Sequence, residues 1–99
     1  MSVAAIFEAL GDANRRQIMA FLTEGEASVS EVADQFNVSL AAVSQHLKVL
    51  REAGLVTVRS RAQQRLYAIA PTALLEASGW IIRLVERSVA AQSARSEIV

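Results

Sequence analysis

One stretch of the sequence alternates as β-strands do, and it interrupts a chain that is otherwise spaced for α-helices. Residues 55–59 and 65–69 place β-branched and other large side chains at strand-like positions. The polar segment 60–64 lies between them, so the pattern predicts a two-stranded hairpin with a basic tip. Because this segment contains no glycine, we expect a longer connecting loop rather than a two-residue primed turn.

Four helices are predicted before the hairpin and one after it. Apolar residues recur at helical spacing in each segment. Helix starts are marked by Asp12, by Ser28 or Ser30, and by Ser39, and helix ends are marked by Gly11, Gly25 and Gly54. Pro71 suits the first turn of the last helix, whose tail after Ala90 we expect to fray. The predicted order is α-α-α-α-β-β-α, a mainly α fold with a small β-hairpin.

Composition agrees with a single helical domain over residues 1–99. Hydrophobic residues make up 53% of the chain, yet aromatic residues make up only 5%, with four glycines and one proline. The apolar content is therefore aliphatic side chains and alanine, which favour helices. This composition excludes a disordered chain and an all-β sandwich.

The predicted fourth helix, residues 39–53, carries a stripe of apolar residues and an outward face of small and polar ones. Leu40, Val43, Leu47 and Leu50 form the stripe that we expect to be buried. At 100° per residue the opposite face presents Ala41, Ala42, Gln45, Lys48, Val49 and Glu52, with Ser44 and His46 on its flanks.

The formal net charge of zero conceals a strongly uneven distribution. Residues 1–36 contain six acidic and two basic residues, whereas residues 37–70 contain five basic residues and one acidic residue. The basic segment coincides with the fourth helix and the hairpin. Such asymmetry is typical of a chain with one nucleic-acid-binding surface.

Two short helices followed by a basic hairpin predict a winged helix-turn-helix domain that binds double-stranded DNA. Polar side chains on the fourth helix suit base edges, alanines suit a thymine methyl group, and cations suit phosphates. The DNA-binding residues predicted in the fourth helix and the wing, residues 56–69, are Ser39, Ala41, Ala42, Ser44, Gln45, His46, Lys48, Arg51, Arg59, Arg61, Gln63 and Arg65. The alternative function is a protein-interaction module that binds an acidic partner.

The sequence resembles the ArsR/SmtB family of bacterial transcriptional repressors over residues 9–69. The matching motifs are Ala-Leu-Gly-Asp at 9–12, Asn-Arg-Arg at 14–16 with Ile18, Ser-Val-Ser-Glu-Val-Ala at 28–33, Val-Ser-Gln-His-Leu-Lys-Val-Leu-Arg-Glu-Ala-Gly-Leu-Val at 43–56, and Arg-Leu-Tyr at 65–67. The resemblance implies a homodimer that pairs through its first and last helices and binds a pseudo-palindromic operator.

The chain departs from that family at the positions that sense metals. Ser28 and Ser30 stand where metal-sensing relatives have cysteines, and the last helix offers Glu76 and Glu86 but no histidine. We therefore expect no metal and no cofactor. The inducer stays open among a small organic ligand near Trp80, a partner protein, and no ligand at all.

The last helix is too apolar for a surface helix. Leu74, Ala77, Ile81 and Leu84 form a stripe suited to packing on the helix's own domain, and a second stripe has heptad-like spacing. With the first helix that the resemblance adds, the predicted dimer interface contains Val3, Ile6, Phe7, Leu75, Ser78, Ile82, Val85 and Val89.

Three further expectations concern chemistry and location. No enzyme is expected, because the chain has no cysteine and one histidine, and Ser44 and His46 do not face each other on a helix. No segment is apolar enough to span a bilayer and no export signal is present, so we expect a cytoplasmic protein. Of Arg15 and Arg16, one is expected to contact phosphate and the other to pair with Asp12 or Glu8.

Overall fold

The computed structural model describes the backbone of residues 2–98 and the side chains of residues 2–95. Over this range the chain forms five helices and three strands: α1 (Val3–Leu10), α2 (Ala13–Leu22), β1 (Ala27–Ser28), α3 (Val29–Phe36), α4 (Leu40–Glu52), β2 (Val56–Arg61), β3 (Gln64–Ile69) and α5 (Pro71–Ile98). The mainly α winged helix-turn-helix fold is confirmed. Strand β1, which contains only two residues, is too short to be recognised from periodicity.

Side-chain caps define where the helices begin. Asp12 accepts hydrogen bonds from the backbone N–H groups of Asn14 and Arg15, at 2.8 and 3.1 Å. Ser28, rather than Ser30, begins α3 and forms a reciprocal capping box with Glu31. Gly54 adopts φ +78° immediately after the cap of α4, where a side chain would be strained.

Arg15 and Arg16 both bind the C-terminal end of α1. The Arg15 Nε donates to the Ala9 carbonyl oxygen at 2.6 Å, and an Arg16 Nη donates to the Leu10 carbonyl oxygen at 2.8 Å. These carbonyls have no partner within the helix, and cations at this end also complement the helix dipole. The Arg15 Nη2 also donates to the backbone carbonyl of Glu8 at 3.3 Å. Among the described residues neither arginine side chain forms an ion pair with the carboxylate of Asp12 or Glu8, so the expected carboxylate pairing is wrong.

The three strands form an antiparallel sheet in the order β1-β3-β2. Strand β3 is central: Ala27 lies opposite Tyr67 on one side, and Val58 lies opposite Tyr67 on the other. The predicted hairpin is confirmed, but the predicted long loop is wrong. Pairing continues through the polar residues to Arg61 opposite Gln64, which leaves a two-residue turn.

This turn has its first central residue, Ala62, at φ +55°. A positive φ at the first position only has the sign pattern of a type II′ turn, which normally places glycine there. Two-residue turns of this kind match the twist of the flanking strands, so strand pairing overrides the unfavourable residue type.

The core lies between α4, the other helices and one face of the sheet. Val43, Leu47 and Leu50 are completely buried, as predicted. Leu40 is 55% exposed, so its predicted burial is wrong. It is the first residue of α4 and lies at the edge of the stripe, beyond the reach of the elements that cover the other three residues.

Helix α5 packs on the domain only through its first turns. Ala73 and Ala77 are buried, but Ile81 and Leu84 are 45% and 44% exposed, so the predicted packing of this stripe on its own domain holds only in part. The ring of Trp80 meets Phe7 edge to face at 5.6 Å between centroids. The helix continues for 28 residues, about 42 Å, because alanine, arginine and glutamine favour helix. The assigned helix thus includes the segment after Ala90 that the sequence predicts to fray.

The structure also bears on the predicted dimer interface and on membrane insertion. Ile6 is completely buried in the core of its own domain, so its assignment to the dimer interface is wrong, while Val3 and Phe7 are half-buried. In the part of the chain that the structure describes, no helix is both long enough and apolar enough to cross a membrane.

The strained turn residue generates a stability prediction. We expect Ala62→Gly to raise the free energy of unfolding by about 1 kcal/mol, because glycine adopts positive φ without steric cost. Urea unfolding at a fixed protein concentration measures the change. The matched control, Ala68→Gly in strand β3, should lower stability by roughly 0.5–1 kcal/mol. Equal destabilisation by both variants would show that Ala62 is not strained.

Candidate nucleic-acid interface

The outward face of α4 is exposed except at one residue. Five of its side chains and that of Ser44 on its flank are exposed, as the helical projection predicts: Ala41, Ala42, Ser44, Gln45, Lys48 and Glu52. The predicted outward position of Val49 is wrong, because this side chain is half-buried and packs against the core. The helix begins after Ser39, whose hydroxyl oxygen accepts a hydrogen bond from the Ala42 N–H at 3.1 Å. The cap thus occupies one acceptor position of Ser39 and leaves its hydroxyl proton free to donate.

His46 departs from the expected exposed position. Its side chain is half-buried, and its Nδ1 is enclosed without a hydrogen-bond partner among the described residues. The imidazole lines a cavity of about 70 Å³ with residues of α2 and α3, including Gln17, Ile18 and Phe36. His46 therefore lies on the flank of α4 that faces the domain, and it is poorly placed to reach a base edge.

Asp12 begins α2 close to that flank. The backbone N–H of Arg15 donates to its carboxylate and holds the pKa of Asp12 below the usual value, with further contributions from Asn14 and from the charges of Arg15 and His46. Asp12 therefore stays ionised as a helix cap.

The wing contains one paired arginine. The Arg59 Nε donates to the Glu26 Oε2 at 2.8 Å, and the Arg59 Nη2 also pairs with the Glu26 Oε1. Glu26 precedes β1 and Arg59 lies on β2, so this bidentate pair spans the central strand β3. Arg59, predicted to be free for phosphate, instead joins the two outer strands of the sheet.

The pair also affects the charge state of both groups. Hydrogen bonding to the Arg59 guanidinium lowers the pKa of Glu26 below its ordinary value of 4.5, and the same contact raises the pKa of Arg59. Both groups are thus held in their charged forms.

The remaining wing cations lie free at the tip. Arg61, Gln63 and Arg65 are exposed, and within residues 2–95 neither arginine forms an ion pair. The tip is therefore a hairpin end with two available guanidinium groups.

A concave surface joins α4 to the wing. Its volume is about 360 Å³, and it is lined by Val29, Ser44, Lys48, Arg51, Arg65 and Tyr67. Three cations thus meet in one depression, and no carboxylate of residues 2–95 lines it. The fold brings together residues that were predicted separately, from the helix and from the wing. Such a surface attracts phosphate and holds it by charge-assisted hydrogen bonds.

Two residues of this surface, Val29 and Tyr67, are not among the predicted DNA-binding residues, and Tyr67 is the one that carries a polar group. The sequence places it in the Arg-Leu-Tyr motif at 65–67 without indicating a role for it. The available signal was the alternation of strand β3, because Arg65 and Tyr67 are two residues apart and therefore project to the same face.

Ser28 stands at one of the two positions where metal-sensing relatives have cysteines. Ser28 is buried, and its hydroxyl oxygen is engaged by the Glu31 N–H at 3.2 Å. No group of three or more histidine, cysteine, aspartate or glutamate side chains could hold a metal ion within the residues described.

Comparison with known families and proteins identifies relatives. A family model described as a helix-turn-helix domain matches residues 10–59. The chain is 27% identical to the transcriptional repressor SdpR of Bacillus subtilis over 82 residues, which cover 83% of this chain and 91% of SdpR. It is 46% identical to the HTH-type transcriptional regulator Rv2034 of Mycobacterium tuberculosis, with 69% of this chain and 64% of that protein covered. It is 37% identical to the transcriptional activator HlyU of Vibrio cholerae, over 68% of this chain and 62% of that protein.

Solved structures share the fold. An ArsR-like transcriptional regulator from Rhodococcus sp. RHA1 superposes with a TM-score of 0.88 at 26% identity, covering 98% of this chain and 92% of that one. A homodimeric winged helix-turn-helix DNA-binding domain from Mycobacterium bovis superposes with a TM-score of 0.71 at 27% identity, covering 86% and 78%.

The ion pair across the sheet generates a pH prediction. Because the pKa of Glu26 is lowered in the folded state, its pairing stabilises the fold above pH 4.5, and this stabilisation is lost as the pH falls through the lower folded-state value. We expect Glu26→Gln to lower the Tm at pH 7, and the difference from the unmodified chain to shrink below pH 4.5.

Thermal unfolding of both proteins between pH 7 and pH 3 measures this difference. Glu24→Gln is the control, since Glu24 is an exposed carboxylate of the same loop that forms no ion pair among the described residues. It should leave the Tm at pH 7 unchanged. A Tm gap for Glu26→Gln that persists undiminished to pH 3 would contradict the pairing.

Proposed function

The chain belongs to the helix-turn-helix family as a winged-helix transcriptional regulator of the ArsR type, and from that premise we propose that it is a homodimeric repressor of a pseudo-palindromic operator. The observation that carries the proposal is the cationic concavity between α4 and the wing, formed by Lys48, Arg51 and Arg65. Repression would take place in the cytoplasm, where the operator is found.

In this proposal α4 enters the major groove and the wing lies along the flanking backbone. A helix fits that groove, and small outward residues allow close approach to the bases. Ser44 and Gln45 read base edges, and Ala41 and Ala42 contact thymine methyl groups. Lys48, Arg51, Arg61 and Arg65 bind phosphates. The acidic residues of the first 36 positions disfavour docking through other faces.

The apolar side of α5 supports the homodimer. Leu75, Ile82, Val85 and Val89 are between 51% and 70% exposed, which is a large apolar surface for an isolated domain. A second copy of the same helix would cover it, and the similar Mycobacterium bovis domain, which is homodimeric, supports a homodimer. The two α4 helices would then enter successive major grooves about 34–36 Å apart.

A second candidate function is activation rather than repression. The similarity to the activator HlyU favours it, because one DNA-binding geometry serves either outcome depending on where the operator lies. Selection of binding sites from random duplexes, followed by transcription from a promoter that carries the selected site, distinguishes the two. The same selection tests DNA binding itself against an acidic protein partner, since duplex DNA would then enrich no sequence.

The same DNA-binding assay can identify what causes the protein to release its operator. A small organic inducer near Trp80, a partner protein, and regulation by abundance alone are the three alternatives. A screen of organic compounds and metal ions for release of the selected duplex tests the first alternative. Release by stoichiometric zinc would contradict our proposal that the chain uses no metal.

Substitutions of base-reading and of phosphate-binding residues should change DNA binding in different ways. Gln45→Ala should reduce discrimination among operator variants, whereas Arg65→Ala should weaken binding to all duplexes alike. Fluorescence anisotropy at several salt concentrations measures both. For the unmodified chain the slope of log K against log salt should be on the order of −4 to −7, and Arg65→Ala should make it shallower by roughly 1 per contact. A flat salt titration, or identical losses for both variants on every sequence, would overturn these roles.

A substitution in the apolar face of α5 tests the proposed homodimer. Val85→Glu should convert the protein to a monomer, because it places a charge within the apolar face of α5. Light scattering after size-exclusion chromatography measures the mass. Val38→Glu is the matched control, since Val38 is an apolar residue with 45% exposure that lies outside α5, and this variant should stay dimeric. A monomeric unmodified chain at micromolar concentration would overturn the dimer.

A further inference from the structure

Tyr67 is buried and yet has an unused hydroxyl. Only 7% of the residue is exposed, and its ring packs within the hydrophobic core. No hydrogen bond to the hydroxyl joins it to another described residue, whereas His46 Nδ1 is the enclosed polar side-chain atom without a partner over the same range. The Tyr67 hydroxyl is therefore unpaired and open to solvent at the edge of the core.

The surface that this tyrosine lines is cationic. Lys48 and Arg51 reach it from α4, and Arg65 reaches it from the wing. Ser44 contributes a second hydroxyl to the same depression. A buried ring holds its hydroxyl rigidly, while long cationic side chains move, so Tyr67 supplies a fixed donor among adaptable charges.

An anion with several acceptor oxygens suits this combination of donors. A phosphate group offers such oxygens, and charge-assisted bonds to it are stronger than bonds between neutral groups. A carboxylate or an apolar ligand would leave several of the donors without partners. The position between α4 and the wing also coincides with the path that the DNA backbone takes in the function proposed above.

We propose that Tyr67 is a DNA-binding residue, whose hydroxyl donates a hydrogen bond to one backbone phosphate held between Lys48, Arg51 and Arg65. The inference rests on the proposed function and deepens it. In this arrangement the cations supply attraction, and the rigid phenol determines where along the backbone the phosphate lies. Residues of α4 and of the wing thereby bind the same phosphate, which positions the two elements together on the DNA backbone.

Tyr67→Phe tests the role because it removes the hydroxyl and keeps the ring in the core. We expect binding to every duplex to weaken by at least about tenfold, since a hydrogen bond to a charged group is lost in each protomer. The slope of log K against log salt should not change, because no cation is removed. The Tm should also stay the same, since the hydroxyl has no partner within the described residues of the protein.

The matched control is Thr57→Val, which removes an exposed hydroxyl from strand β2 outside this depression. It should leave DNA affinity unchanged. If Tyr67→Phe binds DNA as tightly as the unmodified chain, the inference is overturned while the proposed function stands. If its DNA affinity falls only for some sequences, Tyr67 reads bases instead of binding the backbone. Absence of duplex binding by the unmodified chain would overturn the proposed function itself.

A second experiment tests whether the depression binds a phosphate of the DNA backbone or a free phosphate ion. Inorganic phosphate is titrated into the unmodified protein, and the tyrosine environment is followed by NMR. Weak binding in the millimolar range, competed fully by duplex DNA, is the expected result. Tight, Tyr67-dependent binding of inorganic phosphate, together with unchanged DNA affinity of Tyr67→Phe, would show that the depression serves a free anion and would overturn the backbone assignment.

Discussion

Burial of three side chains determines the rotation of α4 about its own axis. Val43, Leu47 and Leu50 are completely enclosed, so any rotation of the helix would expose apolar surface and open voids in a closely packed interior. With that rotation fixed, Gln45 and Lys48 face outward, and His46 is directed toward α2 and α3. The same constraint thus assigns the exposed face and turns His46 partly away from it.

The central strand β3 connects this helix to the wing. It pairs with β1 on one side and β2 on the other, and it contributes both Arg65 and Tyr67 to the depression beside α4. Because β1 leads directly into α3, the sheet also ties the wing to the first helix of the helix-turn-helix. The ion pair between Glu26 and Arg59 spans β3 and links the two outer strands.

The cations of residues 1–70 divide into two groups that their residue type does not distinguish. Arg15 and Arg16 bind the carbonyls at the end of α1, and Arg59 binds Glu26. Lys48, Arg51, Arg61 and Arg65 form no ion pair among the residues described, and three of them line one depression. The first group stabilises the fold, and the second is available to a polyanion. A neutral total charge is therefore compatible with a strongly cationic surface.

The sequence by itself determined the order of the five helices and the hairpin, most helix starts and most of the outward face of α4. These depend on local causes: side-chain caps, the period of apolar residues, and the alternation of strands. Only the tertiary structure decided the partners of the arginines, the two-residue turn at Ala62, the burial of Ile6 and the exposure of Leu40. It also decided that Tyr67 meets Lys48 and Arg51, which lie 16 or more positions earlier in the chain. Those outcomes depend on contacts between residues that are distant in sequence, and the local pattern of a chain carries no information about which distant groups will meet.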